Sequence, residues 1–163
     1  MNRPRYAGGN GSGNGGDTGA ATSAFLTQPY GITLHQVGAG NVEGYIADTG
    51  NHRVRVVNNA GNINAFAGTG TAGFGTDGVA RLLAQLNSPT KVVVVGTTVY
   101  IADANNHRVR QTGTAAGALI STVAGTGQAA YGGDPKPGPF ATLNQPRQIA
   151  WDASSGTLFT ADT

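Results

Sequence analysis

No cysteine occurs among the 163 residues, which excludes disulfides, thiolate nucleophiles and zinc sites built on cysteine, although it fixes no compartment. Charge is scarce as well. Asp, Glu, Lys and Arg make up 11% of the chain, about half the share of an ordinary soluble domain. This excludes a charge-rich disordered tail and a strongly basic nucleic-acid module. The net charge of +2 is too small a surplus for strong long-range attraction to phosphates, so nucleic acid is not the expected partner. No apolar run of about 18 residues is present to span a bilayer. The opening MNRPRYAGGNG holds no apolar stretch of the kind a signal peptide needs. The expectation is either a protein soluble inside a cell or a piece of a longer chain, and an extracellular or surface location stays open in the second case.

What is abundant is glycine, 27 residues, joined by 7 prolines. Turns must be frequent, and the chain repeats itself. Ala7 to Pro29, Ala67 to Pro89 and Ala124 to Pro146 are loops of equal length, with Asp17, Asp77 and Asp134 at one shared position and Leu26, Leu86 and Leu143 at another. Between them stand YIADTGNHRVRVV (Tyr45 to Val57), YIADANNHRVRQT (Tyr100 to Thr112) and the shorter FTADT (Phe159 to Thr163). The period is about sixty residues, in the range that marks tandem architectures.

Each repeat reads as four short strands bounded by Gly, Asn or Pro. In the second copy they are Lys91 to Val95, Thr98 to Asp103, His107 to Thr112 and Ala118 to Ala124, and the first copy offers ITLHQV, EGYIAD, HRVRVV and NINAFA. Four antiparallel strands repeated in tandem are the sequence form of a β-propeller. The fold expectation is therefore all-β, an incomplete ring of propeller blades. Residues 1–29 would hold the end of a preceding blade and a Gly-rich connecting loop. Residues 30–89 and 90–146 would each hold a blade with its outgoing loop, and 147–163 the first half of a third. The run Val92 to Val95 suits an innermost strand buried on both faces.

Two local expectations follow. Asp48-Thr49-Gly50-Asn51 and Asp103-Ala104-Asn105-Asn106 suggest a tight connection with a left-handed residue at Gly50 and Asn105, because Gly and Asn best tolerate positive φ; Asn105→Val should then lower the denaturation midpoint. The loops, which keep their length while the strand pairs do not, should be packed structures, with a helical turn around Val79 to Leu86.

The motif AD-x-x-NHRVR, followed by a fourth strand ending in Ala-Gly-Thr-Gly and an Asp-bearing loop ending in Leu-x-x-Pro, resembles the NHL-repeat family of β-propellers. The resemblance runs over nearly the whole chain from Ala7. It departs at Asn10, where the family's second Gly is expected, and at Pro135 after Asp134. Family propellers often have six blades, so this chain would supply less than half a ring. The resemblance implies a binding platform for protein or RNA, an extracellular part of an adhesion or sensor protein, or a lyase with a metal in the central channel. Fold alone does not choose among these.

Most residues that catch the eye sit on repeat positions. Asp17, Asp77 and Asp134 in the loops, and Asp48, Gly50, Asn51, His52, Arg53, Arg55, Asp103, Asn105, Asn106, His107, Arg108 and Arg110 in the turns and third strands, are expected to pack and hydrogen-bond neighbouring blades. The competing readings are a Ca²⁺ site among the Asp residues, for which no calcium-loop spacing exists, and an Arg stripe for RNA or an acidic partner. A G-x-G-x-x-G at Gly68, Gly70 and Gly73 would suggest a dinucleotide only inside a βαβ unit, and none surrounds it. No G-x-S-x-G is present either. Residues outside the repeat, where a specific function could hide, are His35, Glu43, Lys91, Lys136, Arg147 and Asp152.

No catalytic, cofactor-binding or metal residue is therefore assigned. The expected function is a non-catalytic binding scaffold for a protein or glycan partner. The alternative is part of a metal-dependent lyase or lactone hydrolase, in which Ca or Zn would be a cofactor; an RNA-binding surface is a third reading. An unclosed arc should also expose several hundred Å² of apolar surface at each end, to be covered by further blades or by self-association.

Overall fold

A computed structural model describes residues 6–132 and 137–163; Asp134, Pro135 and Lys136 lie outside the described residues. The first sheet runs in the order β1 (Gly31–Gln36), β2 (Val42–Asp48), β3 (Arg53–Val57), β4 (Ile63–Ala67). The second repeats it with β5 (Pro89–Val95), β6 (Thr98–Asp103), β7 (Arg108–Gly113) and β8 (Ile120–Ala124), and β9 (Gln148–Asp152) pairs with β10 (Thr157–Ala161). All neighbouring strands are antiparallel. These are two whole blades and a pair of strands, and they do not close a ring. β-branched residues are frequent in the strands, as in VVVV of β5, because they fit a pleated, half-buried surface.

Blades stack through their faces. β5 packs on β1 and β2, and β9 packs on β5 and β6, so β1, β5 and β9 are the successive innermost strands. Along β2, Tyr45 and Ala47 face the second blade, while Ile46 points the other way. Tyr45, Val54 and Phe66 of the first blade close on Val92, Val99, Ile101 and Ile120 of the second. The same step joins Ala102 and Val109 to Leu143 and Ile149. Each large side chain buried this way contributes about 1.5–3 kcal/mol.

The long loops explain their constant length. The segment after β4 crosses to the next blade and pairs with that blade's outermost strand: Gly78 N–H donates to Ile120 O at 2.9 Å, Ile120 N–H to Val79 O at 2.9 Å, and Arg81 N–H to Ala118 O at 2.9 Å. In the first copy Thr18 N–H donates to Ile63 O at 2.8 Å and Ala21 N–H to Gly61 O at 2.8 Å. An open sheet edge is thus closed by the chain itself. The helical turn expected over Val79 to Leu86 is shorter than that: a single turn at 81–83, closed by Leu83 N–H to Ala80 O at 2.8 Å, matched by 3₁₀ turns at Ala21–Ser23 and Gly138–Phe140. Backbone groups spent on the neighbouring strand are not free to extend a helix.

The left-handed residue is not where sequence places it. Thr49–Asn51 and Ala104–Asn106 are 3₁₀ turns, and the residue after each is left-handed, His52 at φ 52° and His107 at φ 53°. Gly50 is needed for a different reason: a Cβ there would lie 2.6 Å from Thr27 Cγ2 and 2.9 Å from its carbonyl oxygen. Asn105 is exposed and outside the left-handed region.

Candidate functional site

The repeat-borne polar residues assemble two equivalent clusters, one per blade, where each Gly-rich loop descends onto β3 or β7. Asp48 ends β2 fully buried, accepting Thr27 N–H at 2.8 Å and the Asn51 amide at 2.8 Å. Asp103 does the same, from Asn87 N–H at 2.7 Å and Asn106 at 2.8 Å, and takes Arg110 Nη1 at 3.3 Å. Just after β10, Asp162 accepts Asn144 N–H. The Asp of the Ala-Asp pair therefore fixes the entry to its own blade's innermost strand. Asn51 and Asn106 also donate to Gly13 O and Gly73 O, at 2.6 and 2.8 Å.

Arg55 and Arg110 are fully buried. Arg55 forks onto Asp17, with Nη2 at 2.6 Å and Nε at 3.1 Å, and donates to Phe25 O at 2.8 Å. Arg110 Nη2 meets Asp77 at 2.7 Å, and Asp77 also accepts Thr122 N–H at 3.0 Å. A planar five-donor guanidinium suits such convergence of carbonyls and carboxylates. Arg53 reaches Asn14 O and lies 3.4 Å from Asp17. Arg108 instead donates to Thr126 O at 2.7 Å and stacks 3.8 Å over the Phe74 ring, because Phe74 stands where the first loop has Asn14.

Burial pushes the Asp103 carboxyl up to about 6, against the lowering effect of the Asn87 N–H, the Asn106 amide and the Arg110 guanidinium. Burial raises Asp48 likewise.

The histidines link one copy to the next. His52 Nδ1 accepts Ser88 N–H at 3.1 Å, and His107 Nδ1 accepts Gln145 N–H at 3.1 Å. Ser88 and Gln145 are themselves left-handed, at φ 51° and 50°, and each precedes the proline that opens the following blade. The glycines of the G-x-G-x-x-G string serve the same junction. A Cβ on Gly68 would lie 2.7 Å from His52 O and one on Gly125 would collide with His107 O, and no helix follows to receive a phosphate.

The described residues outside the repeat occupy several separate places. Lys91 donates to Ile32 O at 3.3 Å, Arg147 to Gln145 Oε1 at 2.8 Å, and Asp152 accepts Ser154 and Ser155 hydroxyls, which hold its carboxyl down at about 2. His35 and Glu43 lie directly opposite each other on β1 and β2, facing the second blade. Among the described residues no three His, Asp or Glu side chains gather as a metal would require. Sequence reasoning passed over Arg81, which is buried and donates from Nε to Phe66 O at 2.8 Å, from Nη2 to Thr114 O at 3.4 Å and from Nη1 to Ala115 O. It occurs in one copy only, so repetition could not flag it; its place beside an apolar loop run was the only signal.

No family model matches the chain. NHL repeat-containing protein 2 of Homo sapiens is 37% identical over 112 residues, 69% of this chain and 15% of that protein. The Bos taurus protein of the same name is 36% identical over 111 residues, 68% of this chain and 14% of its own length. The chain thus spans about a seventh of these relatives. Among solved structures, an auxiliary nutrient binding protein from Bacteroides ovatus superposes with a TM-score of 0.67 at 22% identity, covering 88% of this chain and 36% of that one. An auxiliary nutrient binding protein from Bacteroides thetaiotaomicron gives 0.61 at 21%, covering 80% and 34%. At these identities the structural likeness concerns the fold. Among the described residues no helix is long and apolar enough to cross a membrane.

Proposed function

Because this chain belongs to the NHL-repeat family of β-propellers, we propose that it is a non-catalytic binding scaffold whose loops meet a protein partner. One observation carries the reading: a large apolar side chain stands in solvent at the same repeat position of the second and third loops, where the first loop has Ser23. Leu83 is 72% exposed and Phe140, its counterpart in the next loop, is 67% exposed. The described charged repeat residues are meanwhile committed to holding loops and blades together. Large exposed apolar groups at equivalent places on a rigid frame suit a surface recognised by several small contacts. Glycan recognition is the competing occupant, since Tyr131 on the same loop as Phe140 is also exposed.

The test uses affinity capture with the wild-type chain and a Leu83→Ser, Phe140→Ser double variant, beside a glycan array. A protein retained by the wild type and lost by a variant of unchanged unfolding midpoint supports the proposal. Glycan binding without protein capture, or capture indifferent to the two substitutions, contradicts it. Stoichiometric Ca²⁺ or Zn²⁺ in the purified protein would favour the lyase or hydrolase reading instead.

A further inference from the structure

Between the first and second blades, at the end where β1 turns into β2, lies a cleft of about 500 Å³. That is within the usual size of small-ligand sites. His35, Glu43 and Tyr45 of the first blade line it, and so does Arg81, which lies over the Phe66 ring with its guanidinium carbon 4.5 Å from the ring centre. Thr97 and Thr114 of the second blade's turns complete the rim.

Two opposite charges share this cleft without meeting. Arg81 is 9% exposed, and among the described residues no carboxylate lies within 4.0 Å of it; the ion pairs present engage Arg53, Arg55 and Arg110. Its three hydrogen bonds go to carbonyl oxygens, which satisfy donors but leave the charge uncancelled, and two of the five guanidinium N–H groups remain. Glu43 accepts the Tyr45 hydroxyl at 2.8 Å and has no cationic partner among the described residues. His35, across the strand pair from Glu43, adds a further polar group to the same wall. Holding a guanidinium out of water with no counter-charge is costly, and every other buried arginine of the two blades is paired or hydrogen-bonded to a loop that recurs.

We propose that this inter-blade cleft binds a small zwitterion, an amino-carboxylate whose carboxylate meets Arg81 and whose ammonium meets Glu43. Such a ligand cancels both charges at once, whereas a simple anion would leave Glu43 facing it and a simple cation would face Arg81. The bidentate match between guanidinium and carboxylate orients the ligand, and the apolar parts of Val56, Ala65 and Phe66 accept its carbon chain. The site is separate from the exposed loop residues and does not depend on the scaffold reading.

The experiment is calorimetric titration of the full chain with glycine, 4-aminobutanoate and 6-aminohexanoate, which span the possible charge separations, with acetate and methylammonium as single-charge controls. One of the three zwitterions should bind a single site with Kd below about 10 mM, and both controls at least about tenfold more weakly. Glu43→Gln, which keeps the shape and the hydrogen bond to Tyr45, should weaken that binding about tenfold or more. Arg81→Met should abolish it; if that variant fails to fold, Glu43→Gln decides. Saturation by none of the three zwitterions, equal binding of acetate, or unchanged affinity in Glu43→Gln overturns the proposal.

Discussion

At the scale of single residues, a histidine in the left-handed region does the work that a glycine or asparagine was expected to do. His107 tolerates φ 53° because its backbone N–H is taken by Ala104 O at 3.0 Å and its Nδ1 by Gln145 N–H at 3.1 Å. His107→Val should cost about 2–3 kcal/mol, combining left-handed strain on a β-branched residue with one lost hydrogen bond. Asn105→Val should stay within about 0.5 kcal/mol, the ordinary range for an exposed position, which reverses the expectation drawn from sequence. Urea denaturation of the two variants separates the cases, and equal losses would contradict this assignment. Asp103 gives a second test at this scale. Its folded pKa of about 6 lies above the ordinary 3.8, so the folded chain holds a proton that the unfolded chain has already released. Its contribution to stability therefore falls as pH rises from about 4 to about 6 and is level above that. Urea midpoints across that window should show this slope in the wild type and a shallower one in Asp103→Asn, where the raised Asp48 remains; identical profiles would contradict the origin given.

Elements were legible where their physics is local. The strand runs KVVVV and TVYIAD carry β-branched and aromatic residues between turn formers, and the observed strands Pro89–Val95 and Thr98–Asp103 match or extend them by a residue or two. The strip that closes the blade edges was not legible, since Gly78 and Val79 reveal nothing about meeting Ile120 more than forty positions later. Arg81 escaped for a related reason: it is not repeated, and its three carbonyl partners come from β4 and the turn after β7. The equal loop lengths did foretell a packed structure, and the edge pairing supplies the cause. Deleting two residues between Gly73 and Asp77 should misplace both the edge strip and the Asp77–Arg110 pair. A loss above about 2 kcal/mol is expected, because the buried Arg110 loses one of its two carboxylates, the part-exposed Asp77, and the edge hydrogen bonds are lost with it. Shortening the 37–41 turn to the two-residue length used at Gly96-Thr97 should cost less than about 1 kcal/mol, because loop length alone is thermodynamically cheap. Denaturation midpoints of the two deletions check this, and comparable losses would contradict it.

The described residues form an arc whose two outer faces are dissimilar. Ile32 on the outer face of the first blade is 46% exposed, whereas Val92 at the same place in the second blade is fully covered. At the other end Phe159 is 58% exposed where its counterpart Tyr45 is 1% exposed. The two faces are the two halves of one kind of contact, so copies of this chain should associate head to tail. Light scattering should report a mass that rises with concentration, and Ile32→Glu or Phe159→Lys alone should suppress it, since each removes one half of a heterologous contact. A mass independent of concentration in the wild type would contradict the expectation.

The central claim is that the repeated residues join each copy to the next, and hydrogen exchange at two backbone amides tests it most directly. Ser88 and Gln145 N–H groups should exchange slowly in the wild type, each held by a histidine of the preceding blade. His52→Gly, which permits the left-handed backbone but removes the imidazole, should release Ser88 and leave Gln145 protected. Fast exchange at both amides in the wild type, or a Ser88 amide still protected without the His52 ring, would contradict the account.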